Sequence, residues 1–505
     1  MQKPFAHNYS EKITPVESAT LLGKFKIFIA LFVLFSSLIF LFLFRYSPDR
    51  PSEFDDITEQ FKYGSIGSDV ERGIPIEVLR VLPKVFPEYW PANGRPDYSA
   101  FGFIQERNHT LPIGFSKRRR VVDLTGLNCA ACHTGAVRPA QNEAETIVLG
   151  MPSNTVDLQS FFDFLFKCAQ DERFNADVLI PEIKRNVFLL PIVDDFVYRQ
   201  AIAEMKAGLL LKKIQLEQVI GAGHPRFGPG RVDTFNPYKV DQFWRQYSGS
   251  IPENEKFGTA DFPSIWNQSK KVGLSLHWDG NNSSVKERNI SAALGAGATP
   301  SHVDIDSLNR IASWLEDLPS PALPGWISVD DSKRKLGEIV FQKNCATCHS
   351  FSGANVGKVQ PIELIRTDPG RLNSYTEKLK DLQVKYTSSY PWHFTHFVKT
   401  NGYANQPLDG VWARAPYLHN GSVPTIYDLL QSEETRPTKF RTGHGVIDER
   451  KLGIKTDILP GPTNLSFEFD TTLPGNSNQG HSGEAYGTGL SEVDKEALVE
   501  FLKTI

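Results

Sequence analysis

Two pentapeptides constrain this chain more than anything else in it: Cys129-Ala130-Ala131-Cys132-His133 and Cys345-Ala346-Thr347-Cys348-His349. Cysteines three apart lie on one face of a helical turn, so both thiols reach the same partner. Cys-x-x-Cys-His is the attachment signature of c-type haem, whose iron takes the following imidazole as proximal ligand. Cys-x-x-Cys also serves redox dithiols and zinc sites. A dithiol needs no following histidine, and a zinc site would need the two pairs to converge across more than 200 residues. The motifs therefore predict two covalent haems, at Cys129/Cys132 and Cys345/Cys348, with His133 and His349 on the irons. The fifth cysteine, Cys168, closes the aromatic run Phe161 to Cys168 and reads as a buried apolar residue.

Haem c is attached outside the cytoplasmic membrane, and the N-terminus agrees with export. Ile27 to Phe44 is an uncharged apolar run just long enough to cross a bilayer core. Lys3, Lys12, Lys24 and Lys26 precede it, which predicts a cytoplasmic segment 1–26, an anchor at 27–45 and an exported remainder. A cleaved signal peptide is the rival reading, but no small-x-small site follows the run. The expected location is the bacterial inner membrane, single-pass, with the haem domains in the periplasm.

With Lys+Arg 55 against Asp+Glu 58, nothing argues for a nucleic-acid partner. Lys117-Arg118-Arg119-Arg120 reads as a solvated face, with redox-partner steering or contact to haem propionates as the alternatives. Thirty-eight glycines and 33 prolines indicate long irregular stretches. Helices are predicted over Glu77–Val85, Asp157–Ala169, one or two within Ile180–Gln218, Asp304–Leu318, Asp330–Gln342 and Ser491–Thr504. The proline-rich stretch Leu318 to Gly325 reads as a linker. The predicted fold is mainly α: two cytochrome c-type haem domains (46–320 and 321–505) with long irregular loops, plus one N-terminal transmembrane helix.

Three further segments carry a resemblance. They are Leu276-His-Trp278-Asp-Gly-Asn-Asn with Glu287 following, Ala415-Pro-Tyr417-Leu-His419-Asn-Gly, and Gly475-Asn-Ser-Asn-Gln-Gly-His481. Together with the haem motifs they resemble the di-haem cytochrome c peroxidase superfamily, which includes MauG-like enzymes and the di-haem rubber oxygenases. The resemblance implies a catalytic first haem, with Trp278 between the haems and Glu287 as the pocket acid. It implies His419 and Tyr417 supporting the second haem pocket. Asn281 stands where the peroxidases have Arg, which weakens the peroxide reading. The activity implied is reduction of hydrogen peroxide by a small donor such as a cytochrome c or cupredoxin. An O₂-dependent oxygenase and a plain electron-transfer protein are the alternatives. A structural Ca²⁺ between the domains is a further expectation.

Methionine usage constrains the second haem. The chain has only Met1, Met151 and Met205, none after Cys345, so the usual His/Met pairing is closed to its second domain. His393, His396, His419, His444 and His481 remain, with Tyr417 and Tyr486 as alternatives. His481 follows a loop expected to be flexible, and its rubber-oxygenase counterpart is a ligand, so the expectation is His349/His481.

Overall fold

The computed structural model describes residues 15–46, 49–189, 192–221, 223–249, 251–458 and 465–505, with the side chains at 15–22, 38, 41, 42 and 44–46 left out. Residues 1–50 with 119–121 form one unit, and 51–118 with 122–505 form another. In the first unit, Pro15–Tyr46 is a single helix of 32 residues. Phe25, Phe28, Phe32 and Phe35 stand exposed along it. The expected anchor falls within this helix, with five of its side chains outside the described residues, as is most of the expected cytoplasmic segment. Among the described residues no helix is long and apolar enough to cross a membrane.

The second unit is mainly helical, with small antiparallel sheets between the helices. Several of its helices begin where side-chain oxygens can satisfy the free N–H groups of a first turn. Asp157 caps Leu158–Gln170 through Ser160 N. Asp304 caps Ile305–Asp317 through Ser307 N. Asp330 caps Asp331–Asn344 through Ser332 N and Lys333 N, and Ser491 caps Glu492–Leu502 through Asp494 N. The expected helical stretch from 180 to 218 is two helices, Ala176–Lys184 and Val193–Ile220.

Asp331–Asn344 and Glu492–Leu502 pack on each other, and the crossing explains Gly337. A Cβ there would sit 1.9 Å from the carbonyl oxygen of Ala497. One turn on, Phe341 meets Phe501 at 5.1 Å between ring centres. This close crossing delivers Cys345 directly from the helix end, its N–H still bonded to Phe341 O.

The expected boundary near 320 does not separate two cores. Tyr375, Leu379, Phe394 and Phe397 pack with Phe61, Ile66, Ile290 and Ile311. In the other direction, Val137, Met151 and Trp266 pack with Phe341, Trp412 and Phe501. Each haem motif therefore rests on a core to which both halves of the sequence contribute.

Candidate haem centres

The first motif is held by its neighbours. Asn128 caps the turn Cys129–Cys132, accepting from Ala130 N, while its amide donates to Gly64 O at 2.9 Å. Cys129, Cys132 and His133 all line one cavity of about 580 Å³. Neither thiol is in a disulfide. Burial pushes the thiols up, to about 11 for Cys129 and about 12 for Cys132. His133 Nδ1 pairs with Pro263 O at 2.9 Å. A proton on Nδ1 donated to that carbonyl leaves Nε2 as the free lone pair, the tautomer a metal ligand needs. Burial lowers the His133 pKa to about 4, so the ring is neutral at ordinary pH.

The same cavity is lined by His277, Trp278, Asn281, Arg288, Phe397 and Gln406. His277 Nδ1 meets Asn281 Oδ1 at 2.6 Å, and the Asn281 amide nitrogen is buried without a partner. Trp278 Nε1 donates to Asp261 O at 2.8 Å. The size falls within the range of cofactor pockets. Two free thiols, a neutral imidazole and an orphaned amide converge on it, and that donor set fits a covalently bound haem.

Glu287, expected as the pocket acid, is placed elsewhere. Its Oε1 accepts from Thr395 N and Thr395 Oγ1, both at 3.0 Å, and from His396 Nδ1 at 2.6 Å. Its Oε2 accepts from His396 N at 3.0 Å. The carboxylate is a latch between the helix Val285–Gly295 and the segment at 395–396, and it is not among the cavity residues. The neighbouring Arg288 is. Burial lowers the Arg288 pKa to about 10. Its side-chain hydrogen bond goes to Asn289 Oδ1, at 3.2 Å.

At the second motif, His349 Nδ1 pairs with Gln406 O at 2.7 Å, again leaving Nε2 free. The ring centres of His349 and His481 lie 6.1 Å apart. Two imidazoles binding one first-row metal from opposite sides at about 2 Å each have ring centres about 6 Å apart. The pair is spaced to take an iron between them.

The loop that carries His481 is pinned rather than flexible. Arg436, buried, donates to the carbonyls of Asn478, Gly480 and His481. His481 N donates to Ile365 O at 2.8 Å. Gly480 has φ +77°, and a Cβ there would lie 2.3 Å from the carbonyl carbon of Arg366. A side chain is excluded at 480, which is why glycine precedes the histidine.

The remaining candidates divide. His419 is buried and stacked on Tyr403, ring centres 4.0 Å apart, while its carbonyl accepts from Asp261 N. Tyr417 is in the core with Phe341 and Phe501, its hydroxyl on Val411 O. Neither lines the first cavity. Cys168 is fully buried among Phe161, Phe164 and Leu165. Lys117 pairs with Asp123 and Arg118 lies 3.7 Å from Asp69, so the basic run meets acids. The one group of three converging His, Cys, Asp or Glu side chains among the described residues is Glu59, Glu106 and His109. Lys62 Nζ pairs with both glutamates there, which places a cation where an ion would sit. Arg288, Gln406 and Arg436 were not singled out from the sequence, because an isolated Arg or Gln carries no pattern until the chain folds around it.

Residues 402–441 match the family described as RoxA-like, cytochrome c-like. The match spans Gln406, Tyr417, His419 and Arg436, and a cytochrome c-like domain implies c-type haem with iron. The uncharacterised protein y4iM of Sinorhizobium fredii (strain NBRC 101917 / NGR234) is 30% identical over 304 residues, covering 51% of this chain and 67% of that protein. The chain belongs to the y4iM family. A second uncharacterised protein of the same strain, y4iJ, is 27% identical over 565 residues, covering 86% of this chain and 89% of its own length. The cytochrome c-like match makes the chain similar to c-type haem oxidoreductases related to the rubber oxygenases.

Proposed function

We propose that the chain is an exported di-haem c oxidoreductase, anchored through its 27–45 segment, in which one haem is closed and the other open. The observation that carries this reading is an asymmetry. His349 faces a second imidazole at iron-bridging distance. Among the described residues no imidazole pairs with His133 in that way, and a cavity opens beside it. A haem iron with an open position supplies a binding place for a small oxidant and one-electron chemistry there.

The protein's own residues shape that place. Pro263 O orients His133 through Nδ1. Asn281 holds His277 by its ring nitrogen, and Trp278 is held by Asp261 O. Phe397 and the other apolar walls lower the local dielectric, which strengthens the pull of the buried Arg288 on negative charge in the cavity.

Of the two oxidants, dioxygen is the better supported. The carboxylate expected to shuttle a proton in peroxide cleavage is sequestered by residues 395–396, and the family match is to RoxA-like proteins. One observation favours peroxide instead. Asp261 lines the cavity, and burial raises its pKa well above the ordinary carboxylate value despite the nearby Arg231, which favours the protonated form of an acid beside the first centre. The partners proposed are a small donor such as a cytochrome c or cupredoxin, the oxidant, and the lipid bilayer.

The test has two parts. CO added to the ferrous protein is expected to shift one haem spectrum and leave the other. Peroxide with a reduced small cytochrome is then expected to leave the donor reduced. Oxidation of two donor molecules per peroxide would replace the dioxygen reading with the peroxidase one.

A further inference from the structure

The two centres are joined by a short strap. Residues 404–408 run between the Trp278 segment and His349 with four hydrogen bonds. Ala404 N donates to Trp278 O at 2.8 Å, and the Gln406 side-chain amide donates to His277 O at 3.1 Å. On the other side, Gln406 O is paired with His349 Nδ1 at 2.7 Å, and Leu408 N donates to His349 O at 3.1 Å. Gln406 therefore touches both centres at once: its carbonyl holds the proximal ligand of the second, and its side chain holds a wall residue of the first. Pro407 restricts Gln406 to extended backbone, and Arg414 Nη1 donates to Pro407 O at 2.8 Å, which fixes the strap.

We propose that this strap is the electron path between the two haem centres, with the Gln406 side chain as its one link that is not backbone. The inference rests on the di-haem reading above. From His349 Nδ1 to the first cavity the path is one hydrogen bond, the covalent bonds of a single residue, and a second hydrogen bond. The rival path is aromatic. His481 and Tyr486 lie 4.8 Å apart between ring centres, and Tyr486 and Trp278 both pack against Ile365, Leu372 and Tyr403. That route crosses several van der Waals gaps, whereas the strap crosses none between His349 and the His277 carbonyl on the cavity wall. The strap passes one electron: the centre at His349 and His481 is oxidised by one electron and the centre at His133 is reduced by one. The Nδ1 proton of His349 stays on nitrogen, and no atom is transferred.

The experiment uses the full chain with both haems in place. CO is photolysed from the half-reduced protein, and the absorbance change at the second haem follows the electron moving between centres. Gln406→Leu keeps the backbone carbonyl to His349 and removes only the donor to His277. Gln406→Glu is a second variant of the same shape whose carboxylate cannot donate. Both are expected to slow the transfer severalfold, while haem content and the low-spin spectrum of the second haem stay as in the wild type and, in the uncharged Gln406→Leu, so do both midpoint potentials. A wild-type rate in both variants would overturn the proposal. So would a slowed rate in Trp278→Phe with no change in either Gln406 variant, which would assign the path to the aromatic route. A wild-type protein with a single haem, or with no CO-binding haem, would refute the di-haem reading itself, and that result is seen before any variant is compared.

Discussion

Replacing Glu287 by glutamine leaves one acceptor oxygen where the protein uses two. Oε1 takes three hydrogen bonds from Thr395 and His396, and Oε2 takes His396 N at 3.0 Å with Asn282 Nδ2 at 3.4 Å. If the amide oxygen keeps the three-bond side, the new NH₂ faces the other two donors. A hydrogen bond to a charged group contributes about 1.5–3 kcal/mol, so losing the His396 N bond and weakening the rest costs about 3 kcal/mol. In a unit this large, each kcal/mol moves Tm by about 2 °C, which gives a fall of about 6 °C. Burial pushes the Glu287 pKa up, but the hydrogen bonds from His396 and Thr395 outweigh it and hold the carboxyl below its ordinary value. Its stabilisation is thus present above the unfolded pKa and is lost as pH falls through the lower folded one. The gap between wild type and variant should close in acid. The assay is a thermal melt at neutral and acid pH, with haem content and turnover per haem on the same samples. The expected result is a lower Tm with turnover per haem retained. An unchanged melt with turnover abolished would refute the latch and return Glu287 to the chemistry.

Three other outcomes follow from particular residues. His444 is buried and neutral, accepting from Val446 N at 3.1 Å, and burial lowers its pKa to about 4. The unfolded chain takes up a proton near pH 6.5 that the folded one refuses, so stability is full above that pH and falls toward pH 4 by up to about 3 kcal/mol. Urea midpoints across that range should show this loss, and His444→Gln should remove it. Replacing Cys129 and Cys132 together by Ala should halve the haem per chain in a pyridine haemochrome assay, and an unchanged count would refute the first attachment site. Gly480→Ala places a side chain 2.3 Å from the Arg366 backbone at φ +77°, a cost of about 1–2 kcal/mol before the clash. It should give the second haem a high-spin fraction in its ferric spectrum; a spectrum unchanged from wild type would show the loop can shift freely.

The parts of this molecule legible in the sequence were those with a local cause. The helices at 157–169, 304–318, 330–342 and 491–504 follow from apolar periodicity, and in the structure they begin at the caps Asp157, Asp304, Asp330 and Ser491. The haem motifs were legible because attachment needs both thiols and the imidazole within five residues. His481 was reached by a shortage of methionine and a resemblance, and the structure sets it 6.1 Å from His349 between ring centres. What the sequence did not carry was contact across distance. Glu287 sits one residue before a cavity-lining Arg, and only the 395–396 segment, over 100 residues later, draws its carboxylate away. The His481 loop looked flexible from its glycines, because Arg436 reaches its carbonyls from more than 40 residues upstream. The boundary near 320 marks a real proline-rich linker in the chain, yet Phe394 and Phe397 fold back past it into the first core.

The central claim, one closed and one open haem, is tested most directly by His481→Gly in the full chain, read by CO binding to the ferrous protein. The wild type is expected to bind one CO for two haems, and the variant two, its second haem passing from low-spin to high-spin as the imidazole is removed. A wild type that binds two CO, or a variant that still binds one with its low-spin spectrum intact, would contradict the account.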